Sequence, residues 1–226
     1  MRRYVFPLLL GLGGVAILLS LGTWQLRRLA WKEALLAGIE AQIHGAPEAL
    51  PAPGTADPLA LKYRPVAVQG STTGEGLLVL TGQKGLGAGY EVISVFETSD
   101  NRRVLLDRGF VPEAARDTPR PPVALDVLGN LHWPNETDSY TPAPDLKTGL
   151  WFARDVPEMA RALNTEPLLV VASSVTGDAQ GVEPVPVGIE GIPNDHLGYA
   201  ITWFSLAAVW AGMTAFLLWR IRQRQN

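Results

Sequence analysis

The chain contains no cysteine. That absence removes disulfides, thiolate metal sites and cysteine nucleophiles together. Methionine is nearly as scarce. Met1, Met159 and Met213 are scattered, so the sequence builds no Met-rich relay for a soft metal. Excess basic charge is missing too. With 19 Lys and Arg against 22 Asp and Glu, the formal net charge is −3, which points away from nucleic acid. No internal repeat is visible. Ser173 and Ser174 lack the glycines of a nucleophile elbow. GLGAGY (85–90) is followed by a strand pattern rather than a helix, so it reads as a hairpin turn and not as a phosphate loop. Asn135-Glu-Thr137 is a glycosylation sequon without consequence in most bacteria. His44 and His132 read as exposed loop or strand-end residues. No catalytic constellation emerges, and the chain is read as a non-enzyme.

What is present begins with an uneven charge distribution. All 22 acidic residues lie in 26–196 with 14 basic ones, a local net charge of −8. The two ends hold the other five arginines and nothing acidic. Val5–Trp24 is 20 residues without a charge, and Leu197–Trp219 is 23. At about 1.5 Å per residue each is long enough to cross a hydrocarbon core of about 30 Å. The first run is too long for a signal-peptide core, and no small-x-small cleavage site follows it. Trp24-Gln-Leu-Arg-Arg28 follows instead, an aromatic and basic interface anchor. Arg220, Arg222 and Arg224 after the second span place its C-terminus in the cytoplasm, and a hairpin then places Arg2 and Arg3 there too. The predicted organisation is a transmembrane helix in 1–26, an extracytoplasmic domain in 27–195, and a second transmembrane helix with a basic tail in 196–226. The absence of a transit peptide before Met1 favours a bacterial inner-membrane protein with a periplasmic domain.

Between the spans, Arg27–Ile43 reads as a helix continuing from the membrane, and Ala46–Pro58, with four prolines, as a loop. Tyr63–Val68, Leu77–Leu80, Tyr90–Phe96, Val104–Phe110, Val123–Leu131, Leu150–Arg154 and Leu168–Ser173 read as strands. Asp155–Leu163 reads as a short helix capped by its aspartate. The predicted fold class is α+β: one β-rich domain flanked by two transmembrane helices.

His196 stands at the mouth of the second span, where a polar group is either an interface residue or a functional one. On a helical wheel, Tyr199, Trp203, Ala207, Trp210 and Thr214 fall on its side. Gly198, Thr202, Ser205, Ala208 and Gly212 fall opposite. Small faces suit close helix packing, so the wheel predicts that this stripe meets Gly13, Ala16, Ser20 and Thr23 of the first span. The His–aromatic face would then point towards a ligand or partner. An interface belt accounts for Tyr199 but not for Trp210, about 21 Å deeper along the axis.

Several segments carry a resemblance. LGTWQLRRLAWK (21–32), YRPVAVQG (63–70), GYEVISVF (89–96), VLLDRGFVP (104–112) and NDHLGYAITWFSLA (194–207) together resemble the surfeit locus protein 1 family, membrane-anchored assembly factors of cytochrome c oxidase. Asp195 stands where that family commonly has Asn, and Asp107 and Phe110 stand where it has Asn and Trp. The resemblance implies haem a binding and insertion of that haem into the catalytic subunit of a haem-copper oxidase, with haem A synthase as a further partner. It also implies that His196 is the haem-associated histidine and metal ligand. Tyr199 and Trp203 join it as cofactor-binding candidates from the wheel, since a macrocycle wants apolar, aromatic surroundings. The alternative is a cofactor-free scaffold that stabilises the catalytic subunit, with His196 as an interface residue.

Overall fold

Alternating and continuous apolar runs become strands, and the long apolar runs become helices. The computed structural model describes residues 2–83 and 85–223, the side chains of residues 2 and 3 excepted. Lys84 and Arg224 therefore lie outside it, as do the Arg2 and Arg3 side chains of the topology argument. The chain divides into two units, Ile39–Gly188 and Met1–Gly38 with Ile189–Asn226.

In the first of these, six strands form one sheet in the order β2-β3-β6-β4-β1-β5, and β1 also pairs with β2. They are β1 (Pro65–Gln83), β2 (Gly87–Thr98), β3 (Arg103–Pro112), β4 (Ala124–Leu131), β5 (Leu150–Trp151) and β6 (Leu169–Gly177). The extra pairing closes a barrel-like sheet. Val66, Val68, Phe96, Val104, Leu106, Leu125, Val127 and Val170 bury one face of it. The single-turn helix α2 (Pro58–Leu61) adds Leu61 to that face, and Ile93, Leu105, Leu169 and Val171 bury the other face beneath Trp151 and the helix α3 (Val156–Leu163). Strands covered on both faces need apolar residues at successive positions, hence the unbroken Val104-Leu-Leu and Leu168-Leu-Val-Val.

The expected strands 63–68 and 77–80 are one strand, β1. The intervening GSTTGEG (70–76) reads as a turn by composition, but its first and last glycines serve close approach instead. A Cβ at Gly70 would strike the Glu97 carbonyl and one at Gly76 the Ile93 carbonyl. The β1–β2 register shifts between Thr72 and Gly76, and that irregularity bends the strand. GLGAGY does form the β1–β2 hairpin connection, with Gly85 and Gly87 at φ +92° and +87°. The strand expected over 150–154 stops at Trp151 because Arg154 turns to an ion cluster and Asp155 caps α3. The Asp155 side chain accepts from the Glu158 N–H at 2.9 Å.

The other unit holds most of α1 (Arg2–Ile43) and α4 (His196–Gln223), both long and apolar enough to cross a membrane. They run antiparallel. A Cβ at Gly11 would strike Thr214, one at Gly14 Trp210, and one at Gly22 Phe204. Ala200 and Ala207 are buried. Positions 11, 14, 18, 22 and 25 of α1 and 196, 200, 203, 207, 210 and 214 of α4 advance by threes and fours, the spacing of a left-handed helix pair. This corrects the predicted packing. Gly13, Gly198 and Gly212 have nothing within 4 Å of a Cβ, and Ala16, Ser20, Thr23, Thr202, Ser205 and Ala208 are exposed. Small residues do not meet small residues. Instead the glycines of α1 receive large side chains of α4, which gives more dispersion contact than two flat stripes. The hydroxyls of Thr23, Thr202 and Thr214 bond carbonyls one turn back, at 2.7, 2.9 and 2.8 Å, so they need no partner outside their own helix.

Because the chain has no native cysteine, paired cysteines report this register directly. Oxidised pairs at 14/210 and 22/204 are expected to cross-link in membranes, and a pair at 16/208 is not. Efficient linkage at 16/208 alone would restore the wheel's packing.

Candidate functional site

Helix α4 begins at His196. Its imidazole is half-buried, and Nδ1 lies 2.8 Å from Oε1 of Gln25 on α1. Gln25 is only 8 % exposed. The Tyr199 N–H donates to the Asp195 carbonyl at 3.1 Å, which closes the first turn, and the Tyr199 ring is 57 % exposed. Trp203, two turns from His196, is half-buried at a position between the buried Ala200 and Ala207. The three candidates thus share one end of α4 but not one orientation. Trp210 does not face away as the wheel predicts. It packs on Gly14 and, with Pro7, Leu10, Met213 and Phe216, lines an apolar groove of about 360 Å³. Arg28 stacks its guanidinium 4.2 Å from the Trp31 ring, an interface-type pairing within α1.

Gln25 is the functional candidate that sequence reading passes over. Its only signal was a polar side chain beside an apolar run. The hydrogen bond to His196 depends on an antiparallel register that spacing within one helix does not reveal.

The barrel unit holds a second concentration of charge. Arg154 Nη1 lies 3.1 Å from both Glu91 of β2 and Asp107 of β3, and its other nitrogens bond Glu136. Asp107 Oδ1 also accepts from the Gly109 N–H at 3.1 Å. Gly109 sits at φ +115°, pressed against the Glu183 carbonyl, where the β2–β3 register shifts by one residue. Next to it Arg108 is 2 % exposed and donates to Gln180 Oε1 and the Ala179 carbonyl at 2.8 and 2.9 Å. DRGF is therefore a structural junction: an ion pair, a buried guanidinium, a bulge glycine and a core aromatic in four residues.

Three carboxylates share one guanidinium here, so they do not all ionise together. Burial, then Asp107, pushes Glu91 from its usual 4.5 up to about 7 against the pull of Arg154. Burial also raises Asp107. For Glu136 burial pushes upward, but the Arg154 hydrogen bonds and charge outweigh it and hold it below the usual range. His132, expected to be exposed, directly follows β4 and is half-buried with Nδ1 enclosed and without a hydrogen-bond partner. Burial, then Arg154, lowers it to about 4. Among the described residues, no group of three or more His, Asp or Glu is arranged to hold a metal ion.

The two shifts act in opposite directions on stability. Glu91 has a folded pKa above its unfolded one, so its contribution is complete below about 4.5 and is lost as pH rises through 7. His132 has a depressed folded pKa, so its contribution is complete above 6.5 and is lost as pH falls through about 4. Glu91→Gln keeps an acceptor for Arg154 without the charge. Its thermal midpoint relative to the parent is expected to rise between pH 5 and pH 8, by the equivalent of about 1–3 kcal/mol. Parallel melting curves at both pH values would refute this.

The family model described as SURF1 family matches residues 12–208, which covers the whole barrel, α1 from Leu12 onward and the first half of α4. Surfeit locus protein 1 of Xenopus tropicalis is 30% identical over 220 residues, covering 84% of this chain and 68% of that protein. A SURF1-like protein of Monosiga brevicollis is 32% identical over 220 residues, covering 88% and 82%. A bacterial SURF1-like protein, from Rickettsia felis, is 29% identical over 209 residues, covering 84% and 87%.

Proposed function

The chain belongs to the SURF1 family, known as cytochrome c oxidase assembly factors, and we propose that it serves that assembly by carrying haem a on His196. The observation that carries this reading is the placement of His196. It is the single imidazole of the helical unit, tethered through one ring nitrogen, beside an exposed tyrosine ring. The donor set fits a haem. Haem iron takes a histidine nitrogen as axial ligand, and the macrocycle is stabilised by apolar and aromatic neighbours. His196 holds the cargo, Tyr199 flanks it from the exposed side, and Trp203 stiffens the helix pair beneath.

The role is assembly rather than catalysis. Haem a is an apolar macrocycle supplied within the membrane, so a carrier is best built from membrane helices. The two apolar helices and the bacterial relative are consistent with a membrane protein. The arginines after α4 support a hairpin with both ends cytoplasmic and the barrel in the periplasm. The supplier is haem A synthase, and the receiver is the catalytic subunit of a haem-copper oxidase.

The protein is purified after co-expression with haem A synthesis, and its visible spectrum is recorded. The parent is expected to retain haem a, and His196→Ala is expected to lose at least about tenfold of it, with the barrel's circular dichroism unchanged. Equal haem in both proteins would remove His196 as ligand. No haem in the parent would favour a cofactor-free scaffold for the catalytic subunit.

A further inference from the structure

We infer that Gln25 is the positioning residue that decides which nitrogen of His196 carries the proton, leaving Nε2 as the donor atom. The inference rests on the haem reading only for the identity of the ligand; the tautomer is a property of the free protein.

Gln25 is placed for this by the helix pair. It lies one turn beyond Gly22, which receives Phe204, and α4 fits close there with the small Ala200 only 1 % exposed. A buried amide in an apolar helix is costly unless it is hydrogen-bonded. Here its oxygen is 2.8 Å from Nδ1 of His196, a pairing that links residues 171 positions apart. An amide oxygen is an acceptor only. Nδ1 therefore carries the hydrogen, and Nε2 keeps its lone pair, which is the ligating form of the ring.

Metal-bound histidines commonly donate their second N–H to an outer partner that fixes ring and tautomer, and loss of that partner costs about 10–100-fold in affinity. The partner in such triads is often a carboxylate, which makes the imidazole a stronger donor. A neutral amide orients the ring without that added basicity. Orientation without tight ligation suits a cargo that must be passed on.

The test uses the full chain in detergent micelles, labelled with ¹⁵N-histidine and free of haem. The three histidines are distinguished by His196→Ala. At a pH where the ring is neutral, His196 of the parent is expected to be protonated at Nδ1. Gln25→Leu, similar in size, is expected to lose that preference, and Gln25→Glu to keep it. After co-expression with haem A synthesis, Gln25→Leu is expected to retain about tenfold less haem a than the parent, and Gln25→Glu at least as much. A parent protonated at Nε2, or a tautomer unchanged in Gln25→Leu, overturns the inference whatever the haem content. If the tautomer responds to Gln25→Leu while the parent retains no haem, the role of Gln25 stands and the haem reading fails.

Discussion

β1 is hydrogen-bonded along both edges. Residues 65–71 pair with β4 on one side, and 70–72 with 76–83 pair with β2 on the other. This double pairing converts an open sheet into a closed one and removes two edges that would otherwise template aggregation. It demands a long, bent strand, and the bend demands Gly70 and Gly76, where backbones pass too closely for a Cβ. Once the sheet is closed its inner face fills with aliphatic side chains, while α3 and β5 cover part of the outer face. The Arg154 cluster follows from the same closure, because β5, just before Arg154, pairs with β1, and the β1–β2 pairing brings that segment to Glu91 of β2 and Asp107 of the adjacent β3.

The helical unit obeys a different constraint. Its two helices are long and apolar enough to cross a membrane, and helices of that kind associate through shape and hydrogen bonds. Gly11, Gly14 and Gly22 supply the shape by receiving Thr214, Trp210 and Phe204. Gln25 and His196 supply the hydrogen bond. The same contact that joins the helices also orients the one imidazole of this unit, so packing and chemistry are not separable there.

Much of this was readable in advance. Both long apolar helices, the short helix capped by Asp155 and all seven apolar runs, each of which overlaps one of the six strands, follow from periodicity and turn residues, because those signals act over a few neighbours. The union of two runs into β1 was not readable, since STTGEG resembles a turn until another strand is seen crossing it. His196 could be singled out as a polar residue at the mouth of a span. The face it shares with Trp203 and Trp210 could be drawn on a wheel. What that face meets could not, because a wheel describes one helix, and both small and large faces can pack when the partner supplies glycines.

By itself, the sequence determined composition-level and local facts. It has no thiol chemistry, two apolar helices, a β-rich middle, and family motifs around Trp24, Arg108 and His196. Each of these is written in consecutive or near-consecutive residues. Only the tertiary structure decided that β1 closes the sheet, that Glu91, Asp107 and Glu136 converge on Arg154, and that Gln25 reaches His196. These are pairings between residues far apart in the chain. Their energies depend on burial and on distances of about 3 Å, which no local pattern encodes.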